Sequence, residues 1–230
     1  MPLVLDHVLI AVHALPAAVD NFAALGFRVR RGPTDSATER ASIAFADGAR
    51  LELLAWSAPA PQDARWRRLQ QHGEGIVDYA LTTQQAAVAA ADVHGNGALG
   101  VESLAIAVHD VDAERARLRT LAGAGDPGMH LGAALALPVV GTRLATVQLA
   151  GSALLLMAPR TGSLPIPEEH PLALRLAACG EGPYAVVLRT HGGPAWTADL
   201  RLAHGAALEF APVASQPAPI APPSTAMVGG

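Results

Sequence analysis

Internal recurrence constrains this chain more than any other feature, because a stretch that returns must fold twice into the same kind of unit. Leu5 to Gly26 lies over Val101 to Ala122 without a gap, matching Ile10, Ala11, Val12 and His13 to Ile106, Ala107, Val108 and His109. Ala17 and Leu25 also match Ala113 and Leu121. Further on, RASIAFADGARLELLA at 40–55 lies over RLATVQLAGSALLLMA at 143–158, pairing Arg40 with Arg143 and Gly48 with Gly151.

Local patterns give each copy the same order of elements. Residues 3–12 (LVLDHVLIAV) form a short apolar run rich in β-branched residues, and 16–25 (PAAVDNFAAL) follow with Val19, Phe22 and Leu25 at helical spacing. Pro16 suits a first helical turn and Gly26 a helix C-terminus. RASIAFADG and ARLELLAW then read as two strands around Asp47-Gly48, a dipeptide that favours a tight hairpin. The unit is βαβββ, and the second spans about 101–159. After each comes a Gly-Glu-Gly before an apolar run, GEGIVDYALTT at 73–83 and GEGPYAVVLRT at 180–190, expected to complete the sheets. ARWRRLQQ at 64–71 reads as a connecting helix with solvent-facing arginines, AAVAAADV at 86–93 as helical, and ADLRLA and ALEFAPV as two more strands. The expected organisation is a first module at 1–58, a linker helix with an extra βα segment at 59–98, a second module at 99–160 and completing strands at 161–211. Residues 212–230, rich in Pro, Ala, Ser and Gly, are expected to be a disordered tail.

Composition narrows the partners. With 230 residues, 51% hydrophobic and only 16% charged, most segments must find burial. A net charge of -4 without a long Lys/Arg block argues against nucleic acid. Cys179 is the only cysteine, so no intrachain disulfide or CxxC knuckle exists, and a reducing, cytoplasmic compartment is expected. The opening MPLVLDHVLIAV lacks a basic start, and Asp6 and His7 interrupt its apolar run, so neither a signal peptide nor a membrane span is read there.

LDHVLIAV with its helix, the LGF at 25–27, DGARLELLAW at 47–56, the GEG strand at 73 and HGNGALGVESLAIAV at 94–108 together resemble the glyoxalase-like branch of the vicinal oxygen chelate superfamily. The stretch between Asp92 and His94 is shortened relative to that branch. The resemblance implies an α+β fold of paired βαβββ modules whose curved mixed sheets surround a cavity, with helices outside. It also implies a His on the first strand and a Glu on the last strand of a module as ligands of a divalent metal. His7 and Glu52 match in the first module, and strand alternation sets them on shared faces with Leu9 and with Arg50, Leu54 and Trp56. In the second module Ser103 and Leu155 stand instead. Asp78 and Glu209, carried by related segments, are the candidates to complete a ligand set, which would then suit a hard, oxygen-preferring ion.

Each residue also has a plainer reading. His7 is a ligand, a proton shuttle or a buried imidazole satisfied by Glu52. His13 and His109, recurring just after a strand, suit a structural role; Cys179 suits a buried thiol. The GEG and GNG segments are turns, and no GxSxG, HExxH or Walker pattern supports hydrolase or nucleotide chemistry. Three functions stay open. One is a lyase- or isomerase-type enzyme on a substrate with adjacent oxygens, with Glu52 and His7 catalytic and a metal held by His7, Glu52, Asp78 and Glu209. Another is a metal-free small-molecule binder of the bleomycin-resistance type, its pocket lined by Leu9, Leu54, Trp56, Ser103, Ala105 and Met157. The last is a structural module whose cavity is filled by its own side chains. Homodimerisation is an expectation of the resemblance alone.

Overall fold

The computed structural model describes residues 2–33, 37–83, 92–122, 129–137, 141–160 and 170–213. The first unit runs β1 (Val4–Ala11), α1 (Leu15–Ala24), β2 (Arg30–Arg31), β3 (Thr38–Ala44) and β4 (Arg50–Trp56), then α2 (Ala64–His72) and β5 (Gly75–Thr82). The second runs β6 (Ala98–Ala107), α3 (Val111–Ala122), β7 (His130–Leu131), β8 (Leu135–Leu137), β9 (Thr142–Gln148) and β10 (Ala153–Pro159), then α4 (Pro171–Cys179) and β11 (Gly182–Thr190). β12 (Trp196–Thr197) and β13 (Ala207–Pro212) follow. The expected tail at 212–230 starts too early, since Pro212 belongs to β13; its residues from 214 onward, and residues 86–91 of the helix-like run at 86–93, lie outside the described residues.

The strands form two curved mixed sheets, ordered β2-β3-β4-β1-β5 and β12-β13-β11-β6-β10-β9-β7, with β8 beside β9. Their registers repeat residue for residue. His7 pairs with Arg50 on β4 and Ala80 on β5; Ser103, its counterpart on β6, pairs with Ala153 on β10 and Val187 on β11. Leu9 likewise pairs with Glu52 and Asp78, and Ala105 with Leu155 and Ala185. Even the irregularities recur, since β1 with β5 slips between Leu5 and His7 and β6 with β11 slips at the equivalent Val187/Leu188 step. The GEG segments therefore do start the strands that complete each sheet.

Both helices within the βαβββ units pack on the core faces of their sheets. Leu15, Ala18 and Phe22 of α1 join Val8, Ile10, Leu51 and Leu53, while Val111 and Leu118 of α3 join Ile106, Leu154 and Leu156, all in one cluster. Each such fully buried leucine or phenylalanine contributes about 1.5–3 kcal/mol relative to exposure. Pro16 sits in the first turn of α1, and Gly26 follows its end at φ +87°. A Cβ on Gly26 would meet the Asn96 nitrogen at 2.8 Å, so only glycine lets the HGNG segment approach. There the Asn96 side-chain amide donates to the Leu25 carbonyl at 3.0 Å, taking up an orphan acceptor at the helix end.

His94 of the same segment is buried, edge-on to Phe27 and Phe45. Its Nδ1 accepts the Arg28 backbone N–H at 3.0 Å and its Nε2 faces the Ala44 carbonyl at 3.2 Å, which assigns the neutral Nε2–H tautomer. Burial holds its pKa below the ordinary histidine value.

Two further expectations are corrected. ADLRLA forms turns leading to His204 at φ +51°, because Asp199 accepts backbone N–H groups locally and competes with a ladder. Among the α2 arginines, Arg68 is half-buried against β11 and reaches the Glu181 carbonyl, so it does not face solvent.

Candidate functional site

β1 and β4 lie side by side and parallel, so His7 and Glu52 emerge on the same face of the first sheet, with the His7 Nδ1 4.0 Å from Glu52 Oε1. Asp6 joins them. Strict alternation would send it to the opposite face, but the slip between Leu5 and His7 lets its Oδ2 reach His7 Nδ1 at 2.7 Å. Arg50 bridges the two carboxylates, donating from Nη2 to Asp6 at 2.8 Å and from Nε to Glu52 Oε1 at 2.9 Å. Arg40 on β3 faces the other Glu52 oxygen at 3.5 Å. The side chains of Asp6, His7 and Glu52 are only 19%, 21% and 15% exposed, so these groups interact in a partly dry setting.

Chemically, the arrangement fixes the imidazole and satisfies the carboxylate. With its Nδ1–H donated to Asp6, His7 presents an Nε2 lone pair that makes no hydrogen bond among the described residues. Glu52, by contrast, has a guanidinium at each oxygen. Asp78 is exposed on the same face, two positions along β5 from the residue opposite His7, and its Oδ1 accepts its neighbour's N–H at 2.8 Å. Glu209 is exposed on β13 of the second sheet and is not brought to His7. Among the described residues no three His, Cys, Asp or Glu side chains gather to hold a metal ion. Two arginines at the carboxylate and only one free imidazole nitrogen do not fit a divalent cation.

The apolar positions expected to line a pocket are largely covered. Leu9 and Leu54 are buried together with Ala11 and Val77 beneath Leu69 of α2, and Trp56 packs at the margin of this cluster. On the second sheet Met157 packs with Leu172 and Leu176 of α4, while Ser103 is buried and Ala105 half-buried. α2 and α4 thus occupy equivalent places over the two sheets. Sequence reasoning missed Asp6, whose role depends on a strand irregularity, and Arg40, although Arg50 already stood on the Glu52 face.

The GEG turns hold the segments that carry the recurrent histidines by their backbone, while the side chains of His13 and His109 are exposed. Glu74 accepts the backbone N–H of His13 at 2.7 Å, and Glu181 accepts that of His109 at 2.6 Å. Glu74 also holds His204 Nδ1 at 2.7 Å, whose Nε2 meets the Asn21 amide at 3.1 Å. Cys179 is a free, half-exposed thiol and not a buried one.

Two solved structures agree with this architecture. A hypothetical protein from Staphylococcus aureus of solved structure is 10% identical, covering 93% of this chain and 100% of its own, with a TM-score of 0.57. A mutant 4-hydroxymandelate synthase from Streptomyces coelicolor is 13% identical over 83% of this chain and 72% of its own, with a TM-score of 0.56. A methylmalonyl-CoA epimerase from Mycobacterium tuberculosis is 18% identical over 52% of this chain and 91% of its own, at a TM-score of 0.40. Likeness at such identities concerns the fold. No curated protein matches the chain. No helix of the described residues is long and apolar enough to cross a membrane. The sequence profile of the glyoxalase-like domain covers residues 5–119, half of the chain, and with it the chain belongs to that family within the vicinal oxygen chelate superfamily.

Proposed function

We propose that this chain binds a small molecule on the His7 face of its first sheet and does so without a divalent ion. The observation that carries this reading is the engagement of both Glu52 oxygens by Arg50 and Arg40, which fills with guanidinium the place a metal would need. His7, oriented by Asp6, accepts a hydrogen bond from the ligand through Nε2, and Trp56 supplies an apolar wall at the edge of α2. The matching registers of the two units support an internal duplication in which only the first copy keeps the imidazole and carboxylate. A cytoplasmic location and a homodimer belong to this reading, the latter to be tested by sedimentation.

The Asp6–His7 contact favours a second reading, a lyase- or isomerase-type enzyme in which the Nε2 lone pair removes a proton next to a carbonyl. One experiment tests both. Purified protein is analysed for metal, then screened by thermal unfolding against small aromatic and dicarbonyl compounds, with His7→Gln alongside. A stabilising ligand lost in His7→Gln supports binding, and turnover of that ligand supports the enzyme. Stoichiometric metal removed by a chelator, with loss of ligand binding, overturns the metal-free reading.

A further inference from the structure

Where the two units meet, α2 and α4 enclose a half-open cavity of about 200 Å³ on one side of the Gly-Glu-Gly turns. Arg68 and Arg175 line it from equivalent positions, each ahead of its own Gly-Glu-Gly. Both guanidiniums are half-buried, and among the described residues their hydrogen bonds go to backbone oxygens. Arg68 Nη1 donates to Val77 and Glu181 carbonyls at 3.4 and 3.5 Å, and Arg175 Nη2 to the Pro183 carbonyl at 2.9 Å. Arg175 also lies over the Tyr184 ring, 5.4 Å from its centre.

Neither arginine is ion-paired among the described residues, and Arg68 Nη2 and Arg175 Nε are buried with no hydrogen-bond partner there. Glu74 also lines the cavity, but one of its oxygens serves His13 and the other His204. Glu181 likewise serves His109. Asp78, whose charge reaches Arg68, stays exposed and forms no ion pair with it. Burial, together with the charge of Arg175, holds the Arg68 pKa below the ordinary arginine value. Two like charges withdrawn from water beside unmade hydrogen bonds cost stability unless an anion joins them.

We infer that this cavity is an oxyanion site, in which Arg68 and Arg175 together bind a phosphate or carboxylate group at the joint between the two units. Planar guanidiniums match the oxygen edges of such groups, and the cavity has room for one of them. The site is separate from His7 and needs no metal. An anion held there ties α2, which covers Leu9 and Leu54, to α4, which covers Met157.

The test uses the full chain and thermal unfolding in inorganic phosphate or acetate, each against sodium chloride of equal ionic strength. A saturable rise in unfolding temperature above the chloride control is expected. A response to phosphate alone assigns a tetrahedral group, and a response to acetate as well admits carboxylates. Arg68→Met and Arg175→Met should each weaken binding about tenfold or more, since each removes charged hydrogen bonds. Arg67→Met, on the exposed side of α2, should leave it unchanged. Should either cavity variant fail to fold, Arg68→Lys and Arg175→Lys keep the charge without the fork and should weaken phosphate binding less than the methionine changes do. No rise above chloride in the unaltered protein overturns the inference, as does a rise that survives in the folded cavity variants.

Discussion

The carboxylate of Asp47, at the hairpin tip of the first unit, accepts the backbone N–H of Val101 in the second unit at 2.9 Å. The same oxygen takes Arg189 Nη2 at 2.7 Å, and the other takes the Ala49 N–H at 3.0 Å. One side chain thus closes its own turn and fastens it to β6 and β11. Asp47→Ala should cost about 2–4 kcal/mol, because it removes these bonds and leaves a partly buried guanidinium poorly matched. Gly100→Ala would drive a Cβ into the same carboxylate and should also destabilise. Chemical denaturation of both single variants and the double variant checks this: the Gly100→Ala cost should shrink when Asp47 is already alanine.

The two Gly-Glu-Gly glutamates do the same job in unequal surroundings. Glu181 is exposed and serves one N–H, whereas Glu74 also holds the buried His204. Glu181→Ala should cost about 0.5–1.5 kcal/mol and Glu74→Ala about twice that. Equal losses in a denaturant series would contradict the assigned difference.

Acid should act through His94. Its folded pKa lies below 6.5, the ordinary value, because burial opposes the charged ring. The unfolded chain therefore binds the proton first. Stability from this group is complete above the ordinary value and declines as pH falls through it, levelling only below the depressed folded pKa. Denaturation midpoints followed from neutral to mildly acidic pH should show this slope, and His94→Gln should flatten it while lowering stability throughout.

Arg50 keeps a divalent ion from the His7 face on the reading proposed above. Replacing Arg50 by glutamine leaves Asp6, His7 and Glu52 with less compensating charge. Zinc binding by calorimetry should be absent in the unaltered protein and measurable in Arg50→Gln, and should vanish again on adding His7→Gln.

Much of the fold was legible because periodicity and turn chemistry act locally. Asp47-Gly48, Pro16 and Gly26 each mark the boundary they form, and the repeat alignment placed Ser103 opposite His7 and Leu155 opposite Glu52 as the registers have them. The approach of His7 to Glu52 followed from alternation along neighbouring strands. What stayed hidden depends on irregularity or on long-range packing. A slip beside His7 turns Asp6 into the site, and nothing local announces it. Leu69 covering Leu9 and Leu54 is a tertiary contact that makes a pocket wall into core. Arg68 looked like any helix-surface arginine, and only the second unit, arriving at Glu181, buries it.

The ordering of the strands bears on how this protein behaves when crowded. At their margins the sheets carry β2, β7 and β12, each of two described residues, and β8, of three, beside β9; β2 is Arg30-Arg31. Such stubs offer a neighbouring molecule little unpaired backbone to extend, and charge on one of them repels a like strand. The long remaining margin, β5, lies against β11 of the other unit. Aggregation by strand addition is therefore discouraged at the two-residue margins, in a chain whose composition is otherwise strongly apolar, whereas β8 leaves Leu135 and Leu137 exposed beside β9.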